Sequence, residues 1–184
     1  MLAAAGAGGG VAMALASCGG GDENPEVTQT ISPEQSRSDA AVMNALLDLE
    51  RMSVIAYSVM ADGLSGRDRR TALAFRDHER AHQRRIERAI RELGAHPVPA
   101  RPRASYEQGF PPAGDESELL RFLLDVENTQ VSAYGDSLAS VVTPNLRVTL
   151  LAILGTQAEH MSVILGRLRE PQAARAFVTG NAPT

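Results

Sequence analysis

The residues whose types and spacing could support chemistry begin with Glu79 and His82, on a proline-free stretch at 75–93. On an α-helix, residues at i and i+3 lie on one face, about 4.5 Å apart along the axis. A carboxylate and an imidazole placed in this way can bind one metal ion from the same side. Surface helices carry Glu and His at every spacing, so the pair needs support from the rest of the chain.

That support is an internal repeat with an offset of 77 residues. The sequence LLDLE at 46–50 corresponds to LLDVE at 123–127, and in both copies a tyrosine follows the glutamate by seven positions. A glutamate on an apolar helix face is unfavourable to bury unless it is paired or bound to metal. The repeat therefore predicts two copies of one helix pair around a polar core. The candidate residues are Glu50 and Tyr57 with their copies Glu127 and Tyr134, together with Glu79, His82 and His160, in which the two histidines are 78 residues apart.

The elements that must position these residues are helices. Ser32 followed by Pro33 is a suitable helix start, DGLSG at 62–66 breaks the first helix, and Gly94 ends the second. Residues 95–114 are proline-rich and predict a long connection without regular structure. Helices are expected at 33–61, 67–93, 115–142 and 144–169, and 172–178 is a candidate for a further short turn. We predict an all-α four-helix bundle at 33–184, with one long crossover between helices 2 and 3.

The N-terminal residues predict export. Residues 2–16 form an uncharged apolar run that is short for a membrane helix and typical of a signal peptide. Residues 15–18 (LASC) resemble the lipobox of bacterial lipoproteins, in which a peptidase cuts before the cysteine. No basic residue precedes the apolar run, which suggests an upstream start codon. We expect a lipoprotein signal peptide at 1–17, a flexible tether at 18–32 and a membrane anchor on lipidated Cys18, the single cysteine, in the cell envelope.

Residues 39–169 resemble the ferritin-like superfamily, and more closely its bacterial exported ferritin-like domain proteins. Their pattern is a glutamate on helices 1 and 3 and Glu-x-x-His on helices 2 and 4, facing inward around two metals. The resemblance implies a ferritin-like four-helix bundle and iron as the cofactor, in a di-iron or mononuclear centre, with manganese or zinc as alternatives. Tyr57 and Tyr134 match tyrosines that lie two turns beyond such glutamates. The implied ligands are Glu50, Glu79, His82, Glu127, His160 and, in place of the fourth carboxylate, Gln157.

Gln157 is a departure from that pattern with a physical consequence. Four carboxylates balance two divalent ions, whereas three leave a net charge of +1, and an amide oxygen is a weaker ligand. Glu159 projects to the opposite side of the helix and cannot replace it without distortion. We therefore expect a weakened second metal position, or one metal only. The alternative is a relic bundle whose polar core residues pair with each other and bind nothing.

His78, Glu79 and His82 also match HExxH, the helix signature of zinc proteases. The flanking residues are charged, no third ligand follows at a familiar interval, and this interpretation leaves the repeat unexplained. In the ferritin-like interpretation His78 lies at the boundary of the centre and supports it from outside. His96, in the proline-rich connection, is expected to be exposed to solvent.

The charge of the chain restricts its partners. A net charge of −4 gives no argument for nucleic-acid binding. Half of the 18 arginines fall at 67–91 among acidic residues, which favours a solvated helix face over contact with anionic lipid or a partner.

The predicted function is an exported, lipid-anchored protein that binds iron or a similar metal and, if redox-active, oxidises Fe(II). The alternative is a non-catalytic envelope module that acts through surface contacts, and a homodimer is a candidate assembly for either.

Overall fold

The computed structural model describes residues 31–112, 114–172 and 180. Its helices are α1 (Pro33–Gly63), α2 (Gly66–Glu92), α3 (Arg103–Glu107), α4 (Glu116–Ser140) and α5 (Pro144–Arg167). These residues contain no strand, so the predicted all-α class is confirmed. The signal peptide, Cys18, most of the tether and all but the first residue of the candidate turn at 172–178 lie outside the described residues.

The helix ends follow from local sequence. At the start of α1, Ser32 and Gln35 form a reciprocal capping box, and Asp115 and Glu118 form another at the start of α4. Each box satisfies two backbone N–H groups that a helix start leaves without partners. Gly94 ends α2 in the left-handed region, with φ of 76°, where a side chain would be strained.

The long connection differs from the prediction, because it contains the short helix α3 and lies against α1. The Tyr106 hydroxyl donates to Asp48 Oδ1 at 2.6 Å, and Arg101 donates to both oxygens of the same carboxylate at 3.2 and 2.7 Å. Asn44 accepts a hydrogen bond from the Val98 backbone at 2.7 Å. Polar side chains of α1 thus satisfy the groups that the connection cannot pair within itself.

A buried carboxylate also fixes the turn between α4 and α5. Asp39, near the start of α1, is fully buried. Its oxygens accept hydrogen bonds from the backbone N–H groups of Val142 and Thr143 at 3.1 and 2.9 Å. Asp39 was not among the predicted residues. The contact holds the start of α5 beside the first turns of α1.

The four long helices enclose two apolar clusters, and α1 packs along both α2 and α4, while α5 packs mainly along α4. One cluster is built around Tyr57, Met60, Phe75, Leu123 and Ile164. The other is built around Met43, Leu47, Ile86, Tyr134 and Leu150. On each long helix the buried polar residues other than Asp39 and Thr149 fall between the residues of these two clusters. The bundle therefore has a polar layer at its middle, closed by apolar side chains above and below.

The repeat supplies a matched test of the crossover. Asp48 and Asp125 occupy equivalent positions 77 residues apart, but Asp125 is exposed and, within the described residues, its carboxylate makes no hydrogen bond. We expect Asp48→Ala to lower the free energy of unfolding by about 1–2 kcal/mol more than Asp125→Ala. Both changes bring the same gain in helix propensity, so the difference isolates the crossover contacts. Urea denaturation measures it, and equal values would show that these contacts contribute nothing to stability.

Candidate metal centre

The polar layer contains every residue predicted for the centre. The side chains of Glu50, Glu79, Glu127 and Gln157 are completely buried, and His160 is 2% exposed. His82 reaches the layer from α2 with 12% of its side chain exposed. Whether these residues bind a metal remains a prediction, but the fold brings all six together.

One further residue of the layer, Gln130, was not predicted. It is fully buried, and its amide donates to Ser53 Oγ at 2.7 Å and to Glu79 Oε2 at 2.9 Å. Two signals in the sequence could have identified it. Gln130 lies one helical turn after Glu127, on the same face, and it is the counterpart of Ser53 at the repeat offset of 77.

The carboxylates and imidazoles form two groups that share Glu79. In one group, His160 Nδ1 lies 3.2 Å from both Glu79 Oε1 and Glu127 Oε1. In the other, His82 Nδ1 lies 3.5 Å from both Glu50 Oε2 and Glu79 Oε2. Within each group the candidate ligand atoms all lie within 4.8 Å of one another. A metal held at about 2.0–2.2 Å by N and O ligands separates neighbouring ligand atoms by about 2.8–3.6 Å. The separations between histidine nitrogen and carboxylate oxygen in both groups fall in that range.

Unpaired buried atoms support the fit of a cation. Buried side-chain oxygens and nitrogens in proteins nearly always have a hydrogen-bond partner. Within the described part of the chain, several atoms of this layer have none. A metal ion bound by carboxylate oxygen and imidazole nitrogen would satisfy the glutamate and histidine atoms among them. The atoms without a partner are Glu50 Oε2, Glu79 Oε1, His82 Nδ1, Glu127 Oε2, Gln130 Oε1 and Gln157 Oε1.

The two tyrosines connect the halves of the repeat crosswise. Tyr57 of α1 donates its hydroxyl hydrogen to Glu127 of α4, and Tyr134 of α4 donates to Glu50 of α1. In both cases the acceptor is Oε1, so each carboxylate keeps Oε2 free. Burial, followed by the charge of the neighbouring glutamate, raises the pKa of both tyrosines well above 10.0. Both therefore act as neutral donors that orient the glutamates.

Proton positions in the metal-free layer follow from burial and from Glu79. Burial would lower the pKa values of the two histidines, but their contacts with Glu50, Glu79 and Glu127 raise them, to about 10 for His82 and about 9 for His160. Burial favours a protonated Glu79, but the imidazoles of His160 and His82, 3.2 and 3.5 Å away, hold its pKa below the usual range. The metal-free layer at neutral pH thus contains an anionic Glu79 between two imidazolium groups.

The other two carboxyl groups are shifted in the opposite direction. Burial, and then the charge of Glu79, raises the pKa of Glu50 well above 4.5. Burial also raises the pKa of Glu127, to about 7, against the opposing effect of the hydrogen bond with His160. A bound cation would therefore compete with protons for both carboxylates.

The amides make the two groups unequal. Gln157 Nε2 lies 3.2 Å from Glu79 Oε2 and 3.5 Å from Glu50 Oε1. The amides of Gln130 and Gln157 thus both donate to Glu79 Oε2, the oxygen that faces His82. Glu79 Oε1, which faces His160, receives no amide hydrogen within the described residues. Glu159 is exposed, as its position on the helix predicted.

The positions of the other histidines argue against a zinc-protease site. His78 is exposed, and its Nδ1 lies 3.0 Å from Nε2 of His160, on the far side of that ring from the carboxylates. Neither ligand group includes His78, whereas HExxH chemistry requires His78 and His82 to bind the same ion. His96 is exposed in the crossover, as predicted.

Comparison with known families agrees with the geometry. A family model described as "Ferritin-like domain" matches residues 38–170, which include α2 to α5, all of α1 but its first five residues, and every residue of the polar layer. A comparison with curated proteins found no matching relative. Because the match covers most of its length, the chain belongs to the family of ferritin-like domains.

Proposed function

We propose that this protein binds a divalent transition-metal ion in its polar layer, with a principal position formed by Glu79, Glu127 and His160. A second, weaker position is formed by Glu50, Glu79 and His82. The observation that carries the proposal is the pair of Glu-Glu-His groups that share one buried carboxylate. Both groups retain potential ligand atoms that have no hydrogen-bond partner. Neutral imidazole with carboxylate oxygen suits iron, manganese or zinc, and membership of the ferritin-like family favours iron.

The contacts of Glu79 rank the two positions. A cation near His82 would compete with the amide hydrogens of Gln130 and Gln157 for Glu79 Oε2. A cation near His160 meets Glu79 Oε1, which has no amide partner in the described residues. The His160 position is therefore expected to fill first.

Iron in this centre would supply one-electron chemistry, with O₂ or peroxide as the oxidant of Fe(II). The protein's own residues hold the ligands in place and exclude water. Tyr57 and Tyr134 orient Glu127 and Glu50, respectively. The apolar clusters close the layer from both ends. Gln157 can contribute a carbonyl oxygen only if its amide rotates, because its nitrogen now faces Glu50 and Glu79.

The cellular context is proposed from the sequence. We propose that the protein is exported and anchored to a membrane of the cell envelope through lipidated Cys18. The support is the uncharged apolar run followed by LASC at 15–18. Mass spectrometry of the protein from membranes would show an N-terminal acylated Cys18, whereas an intact, unmodified 1–18 segment would contradict the anchor.

A second candidate function is favoured by the amide contacts. Gln130 and Gln157 partly satisfy Glu79 without a metal, as expected of a relic centre in a bundle that acts only through its surface. An anaerobic Fe(II) titration followed by admission of oxygen separates the two. The metal proposal expects about one tightly bound ion per chain and a weaker second one. Less than about 0.2 ion per chain, with zinc and manganese also excluded, would leave the surface module.

Paired substitutions test the ranking of the two positions. Glu127→Gln is expected to abolish tight binding, whereas Glu50→Gln removes only the weak ion and leaves the tight one. A glutamine oxygen can still accept the hydrogen bond of Tyr57 or Tyr134, and burial already favours a neutral group at both sites. Thermal unfolding of both metal-free variants is therefore expected at or above the wild-type temperature. Tight binding that survives Glu127→Gln but not Glu50→Gln would reverse the assignment.

Metal uptake should strengthen as pH rises. Below pH 7 an ion at the principal position displaces protons from both Glu127 (pKa about 7) and His160 (pKa about 9), and between pH 7 and 9 mainly from His160. The logarithm of the association constant should therefore rise by about two per pH unit below pH 7 and about one above it. Competition with a chelator of known protonation constants measures this slope. A constant affinity from pH 6 to 9 would contradict the proposed ligands.

The stability of the metal-free protein, in contrast to its metal affinity, should fall as pH rises. The pKa of His160 is raised from 6.5 to about 9 and that of His82 to about 10, so their ion pairs stabilise the fold fully below pH 6.5. That stabilisation is lost as pH rises through 9 and 10. The melting temperature of the metal-free protein should fall between pH 7 and 10, and the shift produced by zinc should increase over the same range. Equal changes of melting temperature with pH in the presence and absence of zinc would contradict this coupling between protonation and metal binding.

A further inference from the structure

The two ring nitrogens of His160 face different surroundings. Nδ1 faces the carboxylates of Glu79 and Glu127, 3.2 Å away in each case. Nε2 lies 3.0 Å from Nδ1 of His78, which is exposed on α2. The Phe75 ring stacks on His160, with centroids 3.8 Å apart and planes 19° apart, so the imidazole is also held in its plane. His160 thus links the buried layer to a solvent-facing histidine.

Only one arrangement of hydrogen suits both contacts once a cation is bound. A metal ligand nitrogen must present a lone pair, so Nδ1 of His160 carries no hydrogen in that state. The hydrogen then lies on Nε2, which donates to Nδ1 of His78. Partners of this kind fix the tautomer and the ring orientation of histidine ligands.

We propose that His78 is a positioning residue, which accepts the Nε2 hydrogen of His160 and so directs Nδ1 of His160 at the cation. This inference rests on the proposed metal function. It adds a cause for the higher affinity of the Glu79–Glu127–His160 position and gives a role to the histidine of the HExxH sequence that lies outside both ligand groups.

The internal repeat shows that this support exists on one side only. His78 precedes His82 by four residues, and the residue that precedes His160 by four is Thr156. The Thr156 hydroxyl donates to the Ala152 carbonyl oxygen of its own helix, at 3.3 Å. Within the described residues, His82 makes no hydrogen bond to α5, so its ring lacks the partner that His160 has. Both this difference and the amide contacts of Glu79 Oε2 favour the metal position near His160.

Two substitutions of His78 separate its acceptor atom from its bulk. In His78→Asn the Oδ1 atom is bonded to Cγ as Nδ1 is in histidine, so it can accept the same hydrogen bond. His78→Ala removes the acceptor. Thr156→Ala, at the equivalent position of α5, is the matched control. The probe is Zn²⁺ alone, and its affinity for the full-length protein is measured by competition with a chelator.

We expect His78→Ala to weaken the tight position about 10- to 100-fold, and His78→Asn to remain within about threefold of the wild type. Thr156→Ala should leave it unchanged. In NMR spectra of the zinc-loaded protein, the slowly exchanging Nε2 proton of His160 should be present in wild type and His78→Asn and absent in His78→Ala.

Each other outcome overturns a defined part of the account. A wild-type protein that takes up no Zn²⁺ overturns the proposed function and this inference with it. A wild-type protein that binds tightly while His78→Ala binds equally well overturns the inference alone. Equal weakening by Ala and Asn, with the Nε2 proton lost in both, would show that the histidine acts by packing and not as an acceptor.

Discussion

The completely buried carboxylate of Glu79 is the constraint on which the polar layer depends. A charge without solvent must be compensated, and here the compensation comes from histidines of α2 and α5 and from amides of α4 and α5. These contacts tie three of the four long helices to one group. The apolar clusters above and below keep water away, which makes each of those interactions stronger and each unpaired atom less favourable. The same conditions make the layer suitable for a cation.

The twofold repeat explains the symmetry of the centre and makes its asymmetry visible. Tyr57 and Tyr134 contact opposite glutamates in the same way, as two copies of one helix pair require. The copies differ at Gln157, which replaces a carboxylate, and at His78, whose counterpart is Thr156. Both differences favour the position near His160. A symmetric scaffold therefore holds a centre whose two halves are expected to bind metal with different affinities.

The sequence predicted the parts of this structure that periodicity and capping determine. The four long helices, the Ser32 start of α1 and the end of α2 at Gly94 are local features, and the predicted residues of the layer recur at offsets of 77 or 78. Other features depend on contacts between distant segments. Asp39 holds a turn more than 100 residues away, and Asp48 orders a proline-rich connection that has no periodic pattern of its own. The ring orientation of His160, which places His78 opposite Nε2, likewise follows from the packing of α2 against α5.

We propose that one buried position, between Glu79, Glu127 and His160, binds metal before any other. Crystals of the protein equilibrated with limiting Zn²⁺ and measured at the zinc absorption edge would show where the ion lies. We expect one strong anomalous peak within bonding distance of Glu79 Oε1, Glu127 and His160 Nδ1, and a weak peak beside His82 only at higher zinc concentration. Peaks of equal height at both positions, a first peak beside His82, or zinc bound only outside the layer would contradict it.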